Sequence, residues 1–315
     1  MINIPCPDKE ILDNFYEEQK INILKRIKYI KNNKFTRKKK TFNITKNKKI
    51  KKILEKFENE KYLKVFLLAK PDTFLKIIQQ FENDYFLKKA RDKKETLHNV
   101  LYSVFVDYGY NKIDKLKFIN NIGLNTCPYC NRNYIFTVSK KGSIKAEIDH
   151  FYPKTFYPYL ASSYFNLIPS CPTCNGFGAK ESKDTYRDYH IINPYLIKLN
   201  DFKFSIKPQS IDFLDKIGNK KYDYNNFEIE IYGNFDNKKM FSLEELYSQH
   251  KDVIIELLIK KAYYPQSYIY ELSKFGFNQD EIYRYLFCNY KQENDLHKRP
   301  LSKLIKDISK ELDLY

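Results

Sequence analysis

Four of the six cysteines in this 315-residue chain stand as two Cys-x-x-Cys pairs, Cys127-Pro-Tyr-Cys130 and Cys171-Pro-Thr-Cys174. Two intervening residues let one tight turn bring two sulfurs to about 3.5–4 Å, a separation that a single tetrahedral metal spans. Four thiolates match the borderline-soft Zn²⁺ and leave no open coordination position, so the expected site is structural. Its binding free energy would then be folding free energy, clamping the chain around Tyr129 to the chain around Pro172. A redox Cys-x-x-Cys needs only one pair in a thioredoxin-like setting. An iron–sulfur cluster would leave the residues between the pairs without a purpose. Cys6 and Cys288 lie far from both pairs and read as ordinary thiols.

Between the pairs runs Glu147-Ile148-Asp149-His150-Phe151-Tyr152-Pro153-Lys154, then Asn166 to Ser170, and Asn175 follows the last cysteine directly. A solitary histidine is more often structural than reactive. His150 differs by its neighbouring carboxylate, its place at the end of a predicted strand and its position inside the cysteine-stapled segment. Phosphodiester hydrolysis needs a base to activate water, and neutral imidazole suits that near its usual pKa of about 6.5. It also needs a cation to stabilise the charge that builds on phosphorus and on the leaving 3′ oxygen, held by hard oxygen ligands. Asp149 offers a carboxylate and Asn175 an amide oxygen. Neighbours in a strand point to opposite faces, so Asp149 and His150 can serve one site only if the strand ends or bends there. Pro153 just beyond makes that reading consistent.

The order Cys-x-x-Cys, Asp-His-x-x-Pro, Asn-Leu, Cys-x-x-Cys-Asn resembles the HNH nuclease family, whose core is a ββα-metal unit. The resemblance covers about residues 120–190. It implies His150 as general base and Asp149 as a ligand of the catalytic metal. Asn175, at the start of the motif helix, would be the other ligand. Asn166 would brace the loop that bears His150. The implied catalytic ion is Mg²⁺, with Mn²⁺ or another divalent ion as a substitute. The stretch from Glu147 to Pro153, with Tyr157-Pro-Tyr-Leu-Ala161, is also similar to the HNH subunits of bacterial anti-phage systems such as Septu, which act beside an ABC-type ATPase. Arg299-Pro-Leu-Ser-Lys-Leu304 resembles the same group. One departure stands out: the family commonly carries Lys-Gly shortly after Cys-Asn, whereas Asn175-Gly-Phe-Gly-Ala-Lys180 is longer and holds two glycines. That leaves the start of the helix and the role of Lys180 open. Asp184 and His190 follow within reach of the metal, with a surface carboxylate and a packed or capping histidine as the plainer readings.

Three regions must position these residues. Residues 1–118 read as helical and basic, with helical spacing over Ile11 to Ile30, Lys51 to Leu68 and Thr73 to Phe86. Pro71 breaks the chain, and Asp72 or Thr73 can cap the helix that follows. Residues 119–195 lose the helical period. Tyr134 to Val138 and Ile144 to Ile148 flank Lys140-Lys141-Gly142 as a hairpin, and Asn166 to Ser170 reads as a further strand. Residues 196–315 begin with alternating stretches, Phe202 to Ile206 and Phe227 to Tyr232, then turn helical. Ser242-Leu-Glu-Glu245 has the form of a capping box, and helices are expected over Tyr264 to Phe275, Asp280 to Tyr290 and Leu301 to Leu312. The fold class is α+β, with a central zinc-stapled unit between helical flanks.

The formal net charge is +17, which favours polyanionic partners because each neutralised phosphate releases counterions. Lys, Asn, Ile, Tyr and Phe are all abundant, as an AT-rich genome would also produce, so the charge supports a function found otherwise without establishing one. From Lys20 to Leu54 there are fifteen Lys or Arg and no acid, readable as a solvated face or as a phosphate-tracking arm. No apolar run reaches the ~18 residues that span a bilayer, and the first residues hold acids rather than an apolar signal core, so no membrane partner and a cytoplasmic location are expected. Tyr152, Tyr157 and Tyr159 can stack on bases but more often such residues fill core. Lys154 reads equally as a phosphate contact or a solvated lysine. His98 reads as a helix-face residue, and His250 and His297 show no partner. The expected activity is endonucleolytic cleavage of DNA in anti-phage defence. The rivals are a non-catalytic zinc module that binds nucleic acid or protein, and a nuclease subunit silent without its ATPase.

Overall fold

Apolar side chains recur every three or four residues through helix α1 (Lys9–Asn32), and Phe15, Tyr16, Ile23, Ile27 and Ile30 are buried along that stripe. The computed structural model describes residues 1–137, 146–210, 224–264 and 266–314. The chain continues through strands β1 (Phe35–Arg37) and β2 (Lys40–Phe42) into helices α2 (Lys48–Glu58), α3 (Glu60–Leu67), α4 (Phe74–Asn83), α5 (Tyr85–Lys88) and α6 (Thr96–Tyr102). The helix expected over Lys51 to Leu68 is two helices. Asn59 divides them, because its side chain accepts from the Tyr62 N–H and caps α3. Asn47 caps α2 in the same way through Ile50. Neither Asp72 nor Thr73 caps α4. A 3₁₀ turn over Pro71–Thr73 leads into the helix, and the Thr73 hydroxyl donates back to the Lys70 carbonyl.

The β1–β2 hairpin lies inside the basic stretch, where no turn signal in the sequence marks it. Its turn residues Lys38 and Lys39 both have positive φ, 47° and 62°, where glycine or asparagine is the usual sequence mark. Two anchors stabilise it. Phe35 pairs with Phe42 across the strands, and the rings stack at 5.3 Å. Arg37 reaches Asn99 Oδ1 at 2.7 Å and Asp107 at 3.4 Å, and its guanidinium lies 3.5 Å from the centre of the Tyr102 ring.

A π-helical turn, Ser103–Asp107, extends α6 and is followed by α7 (Lys115–Ile122). Strands β3 (Glu147–His150) and β4 (Leu167–Ser170) then pair antiparallel, with Asp149 opposite Ile168 and His150 opposite Leu167. The turn at Lys140-Lys141-Gly142 lies outside the described residues. Tyr134 bridges back to Thr126. Helix α8 (Pro172–Asn175) is a single turn.

Beyond it, β5 (Phe202–Pro208) and β6 (Phe227–Gly233) pair antiparallel, as their alternation predicts. Helices α9 (Phe235–Met240), α10 (Leu243–Tyr247), α11 (Lys251–Tyr263), α12 (Gln266–Lys274), α13 (Gln279–Phe287) and α14 (Ser302–Glu311) complete the chain. The Ser242–Glu245 capping box does not form. Ser242 sits in the left-handed region (φ 45°, ψ 47°), and an N-cap needs an extended backbone. The capping box belongs instead to Asn278 and Glu281 of α13. Helix α14 closes the exposed edge of β5: the Phe204 N–H donates to Asp307 at 3.0 Å and the Ile206 N–H to Glu311 at 3.1 Å. Buried apolar residues form one connected core from Met1 to Leu314, so the three regions share an interior and the fold is α+β. Among the described residues no helix is long and apolar enough to cross a membrane.

His98 lies on α6, as its helical pattern predicts, with its side chain buried in that core, and its Nδ1 donates to the Ala90 carbonyl at 2.6 Å. Burial lowers its pKa from 6.5 to about 4. The unfolded chain therefore binds a proton that the folded chain refuses between those values. Stability is complete above pH ~6.5 and falls as pH drops towards ~4, by up to about 1.4 kcal/mol per pH unit from this residue. His98→Asn keeps a donor near Nδ1 but cannot titrate. Urea unfolding from pH 7 to pH 4.5 should show a shallower loss for that variant, and parallel curves would contradict the assignment.

Candidate active site

Each cysteine pair sits on a turn that its own backbone closes. The Asn131 N–H donates to the Cys127 carbonyl at 2.7 Å, with Asn131 at φ 50°, and the Cys127 N–H donates to the Asn133 carbonyl at 3.0 Å. In the second pair, the N–H groups of Cys174 and Asn175 both donate to the Cys171 carbonyl. All four sulfurs are buried and lie within 4.8 Å of one another, with Cys130 and Cys171 at 3.9 Å. A tetrahedral Zn–S bond of about 2.3 Å sets sulfurs about 3.8 Å apart, so the cage could bind zinc. The Arg132 N–H and the Asn133 amide point at Cys130 and Cys171, as donors to thiolates do. Hydrogen bonds from Cys127 first, then Cys130 and Cys174, hold the Cys171 thiol below its usual pKa, while burial pushes Cys127 up. Four sulfurs this close and this dry ionise together only around a cation. Among the described residues no other group of three or more His, Cys, Asp or Glu side chains converges in this way.

The first turn is locked to the C-terminal region through Asn131. Its side chain donates to the Thr126 hydroxyl and the Leu296 carbonyl, each at 3.0 Å, and accepts from the Ser302 hydroxyl and the Lys303 N–H, each at 3.0 Å. The Arg299-Pro-Leu-Ser-Lys-Leu304 stretch therefore docks on the cysteine cage. Tyr247 adds a bond from its hydroxyl to the Cys130 carbonyl at 2.6 Å. His250 also has a partner, since its Nε2 accepts from Arg132 at 3.0 Å.

Tyr129, between the two ligands of the first pair, is fully buried and donates its hydroxyl to Asp149 Oδ2 at 2.6 Å. Lys180 Nζ takes the other carboxylate oxygen at 3.0 Å and the His150 carbonyl at 2.6 Å. Burial lowers the Lys180 pKa and the Asp149 charge opposes that shift. His150 ends β3 and is 6% exposed. Its Nε2 lies 3.2 Å from the Ala161 carbonyl. A carbonyl only accepts, so in the neutral ring Nε2 carries the hydrogen and Nδ1 holds the free lone pair. Burial, reinforced by the charges of Lys154 and Lys180, keeps the His150 pKa well below 6.5. The ring meets the edge of Tyr110 at 4.3 Å. Gly109 just before it is needed for that approach, because a Cβ there would collide with Ser162 Oγ and stand 2.5 Å from the Phe105 carbonyl oxygen.

Asn166 is buried and braces the segment beyond His150. It accepts from the Tyr152 N–H at 2.8 Å and donates to the carbonyls of Tyr152 and Leu160. Asn175 is half-exposed and gives its amide hydrogen to Glu147 at 2.7 Å. It ends the one-turn helix α8 and does not begin a longer one, since Gly176 follows in extended conformation (ψ −175°). The two-glycine insertion thus truncates the helix that the resemblance implies. Asp149, His150 and Asn175 line one cleft of about 270 Å³, together with Lys154 and Glu181. A cleft of about 300 Å³ beside Asn278, Arg284 and Lys298 contains no histidine.

Other expectations resolve differently. Asp184 is not a surface carboxylate. It is buried, paired with Arg91, and accepts from the Tyr157 hydroxyl and the N–H groups of Tyr186 and Arg187. His190 is exposed, and its backbone is tied to Asp236 and Asn234. Tyr152, Tyr157 and Tyr159 fill core, and Lys154 lies over the Tyr110 ring at 4.7 Å. Cys6 and Cys288 are exposed thiols. Sequence reasoning missed Tyr129 and Asn131 as supports and left Lys180 open. Their places next to cysteine ligands and after Cys-Asn were the only signals available.

Over 85 residues the chain is 36% identical to the Septu protein PtuB of Bacillus thuringiensis, a match that covers 27% of this chain and 28% of that protein. The chain thus spans well under a third of that relative's length in the match, and the likeness relates this part of it to PtuB. No protein-family profile matches the chain, and no solved structure does.

The cage carries two expected outcomes. Elemental analysis should find one zinc per chain. Cys171→Ser, or a strong chelator, should remove it and lower the melting temperature, because structural zinc is folding free energy. Tyr129→Phe leaves one Asp149 oxygen buried without its donor, and should cost about 1–3 kcal/mol in urea unfolding while zinc stays bound.

Proposed function

We propose that this protein is an HNH-type endonuclease that cleaves DNA phosphodiester bonds with a divalent cation, in anti-phage defence and beside an ABC-type ATPase partner. The observation that carries the reading is the His150 ring: one nitrogen is spent on the Ala161 carbonyl, and the ring shares a cleft with Asp149 and Asn175. That leaves His150 Nδ1 as a neutral base at pH 7, and burial keeps it neutral in more acid solution than a free imidazole would be.

In the reaction, Nδ1 removes a proton from water, the water oxygen attacks phosphorus, and the 3′ oxygen leaves, giving a 5′ phosphate and a 3′ hydroxyl. The donor chemistry of the cleft fits a hard ion. Asp149 uses one lone pair on each oxygen for Lys180 and Tyr129, and the Asn175 amide nitrogen faces Glu147, which leaves its oxygen as an acceptor. Mg²⁺ held there by Asp149 and Asn175 would supply positive charge to the phosphorane and to the leaving oxygen. Asn166 holds the His150 segment in place, Tyr110 orients the ring, and Lys154 at the cleft offers a phosphate contact. The defence role and the ATPase partner rest on the likeness to PtuB and on the motif resemblance.

One observation favours the rival, a non-catalytic zinc-stabilised module. Lys180 already neutralises Asp149, a buried pair that is satisfied without a second metal. The two readings separate in one assay. Plasmid cleavage with Mg²⁺ or Mn²⁺, with and without the co-purified ATPase, should fall about 10²–10⁴-fold in His150→Ala, as removal of a general base does. Zinc content and melting temperature should stay as in the wild type. The acid limb of the rate should lie below pH 6.5, since activity is lost only when Nδ1 takes a proton. Equal cleavage by the variant would move the active site elsewhere, and a wild type inert under every condition would favour the binding module.

A further inference from the structure

The segment from Lys34 to Lys56 divides its basic residues into two kinds. Arg26, just before it, stacks on Tyr108 at 4.1 Å and bonds Ser103, and Arg37 is locked by Asn99, Asp107 and Tyr102. Lys31 pairs with Glu55 and Glu58. These cations hold the fold together, and they use the acids nearby. Lys34, Lys38, Lys39, Lys40, Lys46, Lys48, Lys49, Lys52 and Lys56 are exposed, and none has a carboxylate partner among the described residues.

Two features show that this charge is costly as it stands. Lys48 and Lys49 open α2 and no acid lies in its first turn, so they face the positive end of the helix dipole, where a like charge is unfavourable. Lys38 and Lys39 hold left-handed backbone, a conformation that asparagine or glycine adopts more readily. An anionic partner would offset the first of these. Lys49, Lys52 and Lys56 stand on one face of α2 and line a groove of about 340 Å³ with Ile53, Phe86 and Leu87; one acid, Asp84, also lines it, and its carboxylate accepts from the N–H groups of Phe86 and Leu87. Successive lysines there rise about 4.5 and 6 Å along the axis, the advance of one to two nucleotides of a strand.

We propose that the Lys38–Lys40 hairpin tip and the lysine face of α2 form a docking surface for the phosphate backbone of nucleic acid, separate from the cleft at His150. The proposal builds on the nuclease reading by naming where substrate is held. The hairpin also rests on Asn99, Tyr102 and Asp107, the segment that runs on to Tyr110 against His150, so the surface and the cleft share one support.

The test is fluorescence anisotropy with a 24-base-pair duplex, without added divalent ions, across a salt series. The variant is K38N/K39G/K40Q with K49Q/K52Q/K56Q. Its turn residues suit positive φ, so the hairpin keeps its shape, and circular dichroism and zinc content verify the fold. We expect affinity to fall at least about tenfold and the log–log salt slope to become shallower by about 2–5 units, at ~0.9 for each phosphate no longer neutralised. Replacement of the exposed Lys203 and Lys207 on β5 should leave both unchanged. Equal binding by the six-lysine variant overturns the surface, even if the wild type cleaves DNA. Weaker binding by the variant supports the surface even if the wild type never cleaves, a result that would sink only the catalytic reading. Wild-type binding to vesicles with 30% phosphatidylglycerol but not to the duplex overturns the proposal in favour of a lipid headgroup.

Discussion

Tyr129 stands between two sulfurs of the cage and gives its hydroxyl to Asp149, so the cage and the cleft share a residue. That single bond makes the carboxylate's position depend on the turn that the cysteines close. The ring cannot drift, because it is buried without exposure and stacks on Phe241 at 4.4 Å. A knuckle that lost its metal would loosen at the base of the ring, and the acceptor it serves lies on β3 immediately before His150. The four-sulfur cage is thus more than a distant staple. It reaches the proposed chemistry through one side chain.

The two flanks converge on the same place from opposite ends of the chain. From the N-terminal side, the close passage of Gly109 past Ser162 sets Tyr110 on the His150 ring. From the C-terminal side, four hydrogen bonds at Asn131 tie the cage to Thr126, Leu296, Ser302 and Lys303. Neither strand of the β3–β4 pair would be stable alone, since an isolated two-stranded sheet is marginal in water. The continuous core supplies what the small sheet lacks. That is the physical reason the helical flanks make up so much of the chain around so small a site.

Electrostatics in the cleft follow from burial more than from net charge. The +17 balance resides largely in exposed lysines, while three charges act on His150, those of Lys154, Lys180 and Lys115, and Lys180 also pairs with Asp149. Lys180 is held where water cannot screen it, so it fixes the carboxylate and depresses the imidazole at once. A buried pair of this kind is costly to break, because each partner is then left unpaired in a dry place. The same region therefore keeps its ring neutral without any change in overall charge.

Spacing and period along the chain were enough for some of this. Two Cys-x-x-Cys pairs announce a four-sulfur cage, because two residues suffice to bend one turn. The helical period of α1, and the alternation in β5 and β6, are equally legible, since burial of one face is a local pattern. Other features needed the folded chain. The pairing of β3 with β4, the lysine hairpin without glycine, the division at Asn59 and the failed cap at Ser242 depend on contacts or backbone angles that neighbours in sequence do not specify. Lys180 on Asp149, Tyr129 on the same carboxylate and Ala161 on His150 lie 31, 20 and 11 residues from their partners. Residue order alone sets which atoms are available for a cage and a cleft. Which nitrogen of His150 is free, and what holds Asp149, follow from the folded chain, because hydrogen bonds select by distance in space and not by position along the chain.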